Sequence, residues 1–231
     1  MTDKFNPFNP FISEKIIIAV PKGRILKELE PILKKVNIVP ENSFKSNNNR
    51  KLMFRTSDKE IILIIVRSFD VVNFVAFGGA HLGIVGSDVI KEFSFDEIYA
   101  PVNLGIGKCR MSVAEPTKLA EKDNPKSWSH VRVATKYPKI TKNYFAERGV
   151  QAECLKLNGS LEIAPMLGLT KRIVDLVSTG KTLKDNGLSE IEKIMDISSY
   201  LIVNRNISKS KPERIKEIIK RFRKAVNVKN N

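Results

Sequence analysis

The sequence predicts an α/β fold built from two lobes, and three observations lead to this prediction. Strand-like and helix-like segments alternate along most of the 231 residues. Two consecutive strand–helix–strand units between residues 131 and 178 predict parallel strands joined by right-handed crossovers. The chain length suits one large domain or two small ones. With 42% hydrophobic and 28% charged residues, the composition is that of a soluble globular protein and excludes disordered, collagen-like and membrane-bundle classes.

The predicted strands are apolar runs that end at turn residues. They cover residues 15–21, 61–66, 82–86, 110–114, 131–135, 151–157, 173–178 and 195–203. The predicted helices repeat apolar residues at helical spacing. They cover residues 25–36, 71–77, 88–92, 141–148, 161–169 and a final helix whose apolar stripe runs over residues 215–226. We expect Pro31 to kink or restart the first helix, residues 42–50 to form a loop, and residues 115–129 to form an exposed connection.

The order of these elements predicts where the lobes divide. Lobe I covers residues 1–105, and residues 200–231 return to it. Lobe II covers residues 106–199 and contains the regular second half of the pattern. A cleft between two such lobes is the usual place for a ligand.

The formal net charge of +15 favours either a nucleic-acid binder or an enzyme that acts on polyanionic small molecules. Residues 206–231 hold nine basic and two acidic side chains, so the excess is concentrated in the tail. This tail is compatible with a solvated helix face, a partner surface or a nucleic-acid arm. Because no stretch interleaves basic and aromatic residues, we expect no nucleic acid among the partners.

Several other classes of protein are disfavoured. The two cysteines, Cys109 and Cys154, form no CxxC pair, which indicates reduced thiols rather than a disulfide framework. Two histidines do not build a zinc site by themselves. The longest apolar run, residues 61–66, is too short to span a bilayer, and the N-terminal segment does not resemble a secretory signal. We therefore expect a cytoplasmic protein with no membrane partner.

The most informative segment is DLVSTGKTL, at residues 175–183. It runs from a buried strand through a turn into a helix-like piece. Gly180 lets the backbone approach an anion closely, while the hydroxyls of Ser178, Thr179 and Thr182 and the ammonium of Lys181 are donors for a phosphate. Asp175 stands where a Walker A loop requires its first glycine, so this ATPase motif is excluded. A turn with a purely structural role remains the alternative.

Two further segments follow predicted strands, where ligands bind in open α/β sheets. The first contains Lys22, Gly23 and Arg24, which places a glycine and two cations at the start of a helix. The second is residues 158–160 (NGS), with Glu162 just beyond. Residues 104–110 (LGIGKCR) place glycines and cations near the predicted lobe junction. Each segment alone is ambiguous.

Together these residues resemble the ATP phosphoribosyltransferase family in its short form, over nearly the whole chain. The matching segments are IAVPKGRIL around Lys22, AFGGAHLGIVGSDVI from Ala76, VNLGIGKCRMSVAEP from Val102, RVATKYPKITKNYFAERGV from Arg132 and LNGSLEIAPMLGL from Leu157. The family signature corresponds to Glu162, Gly168, Ile173, Asp175, Leu176, Thr179, Gly180, Thr182 and Leu183.

The resemblance implies a two-lobed fold similar to type II periplasmic binding proteins. It implies an enzyme that joins ATP to 5-phosphoribosyl 1-diphosphate (PRPP) with magnesium, in the first step of histidine biosynthesis. It also implies a homodimer that assembles with a separate regulatory subunit resembling histidyl-tRNA synthetase, and we expect no C-terminal histidine-binding domain.

The residues are assigned on this basis as hypotheses. The expected PRPP-binding residues are Glu162, Asp175, Ser178, Thr179, Gly180, Lys181 and Thr182. The expected ATP-binding residues are Lys22, Gly23 and Arg24. Arg24 and Arg50 are the expected catalytic cations, facing the triphosphate and the leaving diphosphate. No protein metal site is expected, because the substrate diphosphate and water hold most of the Mg²⁺.

Two other classes of protein stay open at this point. A non-catalytic solute-binding protein of the same fold would release no diphosphate from PRPP in the presence of ATP. A basic nucleic-acid-binding regulator would bind duplexes in a salt-sensitive manner through residues 206–231.

Overall fold

A computed structural model describes residues 14–45, 50–206 and 211–227. The chain divides into two compact units. The first unit comprises Met1–Val89, Phe95–Gly107 and Ser198–Asn231, and the second comprises Ile90–Ser94 and Lys108–Ile197. The corresponding divisions predicted from the sequence lie after residues 105 and 199. Within the described part of the chain, no helix is both long enough and apolar enough to cross a membrane.

The strands and helices alternate along the described residues. In chain order they are β1 (Ile16–Pro21), α1 (Arg24–Lys35), β2 (Met53–Arg55), β3 (Ile61–Val66), α2 (Ser68–Ala76), β4 (Leu82–Gly86), α3 (Ser87–Phe93), β5 (Ile98–Asn103), β6 (Cys109–Pro116), α4 (Thr117–Ala120), β7 (His130–Thr135), α5 (Pro138–Ala146), β8 (Gln151–Lys156), α6 (Ile163–Met166), β9 (Arg172–Val177), α7 (Lys181–Asp185), β10 (Leu188–Ile197), β11 (Ser199–Asn204) and α8 (Pro212–Asn227). Short 3-10 helices cover Asn42–Lys45 and Pro125–Ser127.

The first unit contains a six-stranded sheet in the order β2-β3-β1-β4-β11-β5. Strands β3, β1 and β4 are parallel neighbours, whereas β2, β11 and β5 pair in antiparallel fashion. Most side chains of β1 and β3 are buried, because the parallel strands are covered on both faces. Because β1 and β3 are parallel neighbours, their carboxyl ends lie at the same edge of the sheet.

The second unit contains a five-stranded sheet in the order β10-β6-β9-β7-β8. Strands β9, β7 and β8 are parallel, and β6 runs antiparallel to both β9 and β10. Ala134, Ile173 and Val177 form part of a buried cluster on one face of this sheet, together with Leu161 before α6 and Leu183 of α7. The two short helices thus pack on the same face of the sheet, beside the carboxyl end of β9.

Two sequence-based predictions of secondary structure differ from the structure. Of the two expectations for Pro31, a restart is wrong, because α1 runs through this residue without a break and Leu29, Ile32 and Leu33 pack its buried stripe. The predicted strand at 195–203 is two strands, β10 and β11, which belong to different sheets and meet at Ser198. Most of β10 lacks the apolar run of a buried strand, because this strand lies at the edge of its sheet and mixes charged with apolar side chains.

Two helix and loop boundaries also differ from the prediction. The helix predicted at 161–169 contracts to α6, which covers Ile163–Met166. The predicted exposed connection at 115–129 begins inside β6, where Glu115 is completely buried. A charged residue at that position suggested solvent exposure, but a cationic partner in the fold allows its burial. Part of the predicted loop at 42–50 lies outside the described residues.

Candidate active site

The turn after β9 has the local structure that its sequence suggested. The strand ends at Val177, Ser178 and Thr179 lead to Gly180, and α7 begins at Lys181. Gly180 has a φ of 79°, a left-handed conformation that L residues with a Cβ rarely adopt. An added Cβ at Gly180 would meet only Cγ1 of Val177, at 3.9 Å, so conformation rather than crowding requires glycine here.

The donors of this turn face solvent. Ser178, Thr179, Lys181 and Thr182 are all exposed. The backbone N–H of Lys181 donates to Oγ1 of Thr179 over 3.3 Å, which holds the turn in a compact shape. Because α7 has only five residues, the hydroxyls, the ammonium and the local N–H groups of the turn are its available anion donors, and a helix dipole adds little.

A cation from the neighbouring strand supports the turn. Arg110 pairs with Val177 in the β6–β9 register, and its Nη1 donates to the carbonyl oxygen of Ser178 over 3.4 Å. Its Nε donates to Oε1 of Glu190 over 2.6 Å, and Oγ of Ser112 donates to the same oxygen over 2.7 Å. Arg110 is therefore held beside the turn by β10.

Asp175 lies two residues before the end of β9 and is half-buried. Burial raises the pKa of its carboxyl group to about 6, although the N–H of Leu176 donates to its Oδ1 over 2.7 Å and opposes this shift. Glu162 raises the pKa further through charge repulsion, and the ammonium of Lys136 lowers it. The fold thus brings two of the predicted PRPP-binding residues, Asp175 and Glu162, within electrostatic reach of each other.

The first unit has its own cationic turn, at the carboxyl end of β1. Lys22 is exposed, and its backbone N–H donates to the carbonyl oxygen of Val66 at the end of β3, over 3.2 Å. Gly23 has a φ of 92°, and nothing lies within 4 Å of an added Cβ. Arg24 begins α1, and its Nη2 donates to the carbonyl oxygen of Gly107 over 3.4 Å.

Glu28 holds this arrangement together. One of its carboxylate oxygens lies 3.7 Å from Nε of Arg24, and the other accepts a hydrogen bond from the N–H of Gly107 over 2.8 Å. Gly107 is confined, because an added Cβ would lie 2.8 Å from Oγ of Ser199. Arg24 therefore has its guanidinium directed by an acidic neighbour and a backbone carbonyl.

Arg50 is exposed and precedes the first residue of β2 by three positions. Strand β2 pairs Met53 with Ile64, and the N–H of Ile65 donates to the carbonyl oxygen of Leu52 over 2.8 Å, which continues this pairing. The antiparallel direction carries Arg50 toward the residue that follows β3, at the edge where β1 also ends. The structure thus brings Lys22, Arg24 and Arg50 to one edge of the sheet.

The described residues contain no group of three or more His, Cys, Asp and Glu side chains able to hold a metal ion.

Two residues of this site were not assigned from the sequence, Lys136 and Arg110. Lys136 directly follows a predicted strand, so its position alone could have identified it. The contact of Arg110 with Ser178 joins segments 68 residues apart and depends on strand pairing that no local pattern encodes.

The chain is similar to proteins of one known family. Residues 67–224 match the family described as HisG: ATP phosphoribosyltransferase. The chain is 59% identical to an ATP phosphoribosyltransferase of Rhizorhabdus wittichii, over 95% of this chain and 99% of that protein. It is 56% identical to one from Rhodospirillum rubrum, over 92% of this chain and 94% of the other.

A solved structure shows the same mixed α/β fold. The chain matches one chain of the ATP phosphoribosyl transferase (HisG:HisZ) complex from Thermotoga maritima with a TM-score of 0.76 and 29% identity. The match covers 92% of this chain and 98% of that chain.

Proposed function

This chain belongs to the ATP phosphoribosyltransferase family, and we propose that its turn at residues 178–182 holds the 5-phosphate of PRPP. The enzyme joins ATP to PRPP and yields 1-(5-phosphoribosyl)-ATP and diphosphate, in the first step of L-histidine biosynthesis. Family membership favours this activity over the solute-binding and nucleic-acid-binding alternatives. The exposed hydroxyl and ammonium donors of the turn, beside Asp175, are the observation that carries the assignment.

The reaction requires positioning more than covalent chemistry. N1 of adenine attacks the anomeric carbon of PRPP, the bond from that carbon to the diphosphate breaks, and the diphosphate leaves with the bonding electrons. Correct orientation of two reactants can lower the barrier by about 7–11 kcal/mol. Each preorganised donor at the developing charge is typically worth about 3–4 kcal/mol.

In the second unit, the turn and Asp175 have different tasks. Ser178, Thr179, Lys181 and Thr182 donate to the phosphate, while Gly180 supplies the left-handed backbone that shapes the turn. Asp175, together with Glu162, accepts hydrogen bonds from the ribose hydroxyls and so fixes the orientation of the sugar.

In the first unit, the cations act on the phosphates of ATP and on the leaving group. Lys22, Gly23 and Arg24 bind ATP, and Arg24 and Arg50 stabilise the charge that develops as diphosphate departs. Magnesium accompanies the substrate diphosphate and neutralises part of its charge when bound. Support comes from the shared sheet edge of Lys22, Arg24 and Arg50 and from the carboxylate of Glu28 that directs Arg24.

The experiment that tests this proposal measures KM for each substrate separately. We expect Ser178→Ala and Thr182→Ala to raise KM for PRPP about tenfold or more, because each removes a donor to a charged phosphate, and to leave KM for ATP close to the wild-type value. Ser129→Ala, an exposed serine outside the turn, is the matched control. Unchanged KM for PRPP in both turn variants would place the phosphate elsewhere.

The assembly of the enzyme is also part of this proposal. The likeness to a chain of a HisG:HisZ complex supports a hetero-oligomer with a regulatory subunit resembling histidyl-tRNA synthetase. Around α6, Ile163, Met166, Leu167 and Leu169 leave between 45% and 70% of their surface exposed, an apolar group typical of a protein contact. We assign this group to the homodimer or to the regulatory subunit.

Light scattering with and without the regulatory subunit distinguishes the two contacts. If the apolar group serves the homodimer, Leu167→Glu yields monomers without the partner. If it serves the regulatory subunit, the dimer persists and the hetero-oligomer is lost. A variant that forms both assemblies normally would contradict the assignment. The type II periplasmic-binding-protein-like architecture and the cytoplasmic location complete the proposal, supported by the two α/β units and the biosynthetic family.

A further inference from the structure

Lys136 directly follows β7, the parallel strand next to β9. Strands β7 and β9 pair Val133 with Arg172 and Thr135 with Val174. Lys136 is the residue directly after the last pair, and continuing this register by one step places its backbone opposite Asp175. Both side chains are half-buried, and the ammonium of Lys136 acts electrostatically on the Asp175 carboxyl group.

A buried hydroxyl fixes the backbone on either side of Lys136. Oγ1 of Thr135 donates to the carbonyl oxygen of Val174 over 2.9 Å and accepts from the N–H of Tyr137 over 3.0 Å. The N–H of Leu157 donates to the carbonyl oxygen of Thr135 over 3.1 Å. Thr135 is fully buried. The position of Lys136 relative to β9 is therefore set by the core of the sheet and not by a flexible loop.

The N-terminus of the following helix is already engaged. The carboxylate of Glu92 accepts from the N–H groups of Lys139 and Ile140, each over 3.0 Å, in the first turn of α5. These two N–H groups are thus satisfied by a protein carboxylate. Just beyond the carboxyl end of β7, the ammonium of Lys136 is a positive group that acts electrostatically on Asp175.

The surroundings of Asp175 explain why it needs a cation. On the α6 side, Glu162 repels it. On the β6 side, Ser112 is its partner in the register, and the cation beyond, Arg110, is already paired with Glu190. Burial and Glu162 both favour the protonated acid, which would be a poorer acceptor for two ribose hydroxyls.

We propose that Lys136 is a positioning residue for the transferase reaction: its ammonium keeps the Asp175 carboxylate ionised and in place to accept the ribose hydroxyls of PRPP. This inference deepens the proposed function and rests on the role assigned there to Asp175. Lys136 acts through Asp175 and makes no bond to the reacting atoms.

The test compares pH profiles of kcat/KM for PRPP between pH 5 and 9 in the wild type, Lys136→Met, Lys136→Arg and Asp175→Asn. We expect Lys136→Met to move the acidic limb upward by about one pH unit, because an opposite charge at short range lowers a carboxyl pKa by about one to three. Lys136→Arg should restore the wild-type limb. The second ionisation of the substrate phosphate, also near pH 6, is common to all variants, and Asp175→Asn shows it alone.

The controls separate this inference from the proposed function. Lys142→Met, an exposed lysine of α5, should keep the wild-type profile. If Lys136→Met leaves the acidic limb in place, whether or not KM for PRPP rises, the lysine does not act through Asp175 and the inference is wrong. Thr182→Ala tests the turn independently, so the proposed function can stand while this inference falls. Lys136→Gln repeats the measurement if Lys136→Met does not fold, as judged by its thermal unfolding.

Discussion

The two ends of β9 both contain charged residues, but they are built in opposite ways. At the N-terminal end, Arg172 is almost fully buried; its Nε lies 2.9 Å from Oε2 of Glu115, and it also pairs with Asp123. The guanidinium carbon lies 4.0 Å from the centre of the Trp128 ring, whose Nε1 donates to Asp123 over 3.0 Å. Arg172, Glu115, Asp123 and Trp128 thus form one group of mutual contacts at this buried end of β9.

At the C-terminal end, the charged side chains are partly accessible to solvent. Asp175 is half-buried between a repelling carboxylate and one ammonium, and the donors of the turn beyond it are exposed. The charges at the N-terminal end are buried against their own partners and are closed to a ligand, whereas the exposed donors beside half-buried Asp175 are accessible to one. Exposure and access to a ligand, more than charge itself, therefore distinguish a binding residue from a structural one.

The largest expected effect is on stability, at the buried end. Arg172→Met should lower the free energy of unfolding by about 3–5 kcal/mol, because it leaves Glu115 as a buried charge without its partner. Arg132→Met, which breaks an exposed pair with Glu153, should cost less than about 1 kcal/mol. Urea denaturation of the two variants measures both values. If both variants lost the same free energy of unfolding, burial would not determine how much a charged pair contributes to stability.

The second effect is a loss of turnover when the exposed cations of the first unit are replaced. Arg24→Ala and Arg50→Ala should each lower kcat about a hundredfold, which corresponds to about 2.7 kcal/mol. Their midpoints of urea denaturation should stay close to wild type, since both residues are exposed. Steady-state kinetics measures kcat of both variants, and Arg132→Ala, at an exposed arginine outside the site, is the control. Near-normal turnover in both variants would remove these arginines from the mechanism.

A smaller effect is expected at the open end of β9 itself. Gly180→Ala should raise KM for PRPP about tenfold, because a residue with a Cβ pays roughly 1–2 kcal/mol in the left-handed conformation and shifts the turn. Gly159→Ala is the matched control, as that glycine has open space around it and no positive φ. If both variants bind PRPP alike, the shape of the turn does not determine binding.

The smallest effect is a pH dependence of stability. The pKa of Asp175 is about 6 in the folded chain, above its ordinary value of 3.8, so the folded state holds the proton more tightly than the unfolded state. The resulting loss of stability grows as pH rises from about 4 to 6 and is complete above that range. Solvent screening of this half-buried side chain reduces the effect of the shift, so Asp175→Asn should be more stable than wild type at pH 8 by about 1 kcal/mol and nearly equal at pH 4. A larger gain at pH 4 than at pH 8 would contradict the direction of the shift.

The sequence pattern of single segments was enough to predict the buried strands, the turn after β9 and the last helix. The apolar runs of β1 and β3 predict buried strands because a parallel strand is covered on both faces. The turn at residues 178–182 is recognisable because its glycine, hydroxyls and lysine are neighbours in the chain. The amphipathic stripe of α8 likewise depends only on helical spacing.

Tertiary structure alone decided which charged residues meet. Arg110 reaches the turn, and Lys136 acts electrostatically on Asp175, because strands distant in sequence pair in a particular register. Glu115 is buried rather than exposed because Arg172 and its neighbours compensate it across the fold, a relation with no local signature. Sequence patterns report what each segment prefers by itself, whereas the burial and ionisation of a charge depend on partners that only folding brings within a few ångströms.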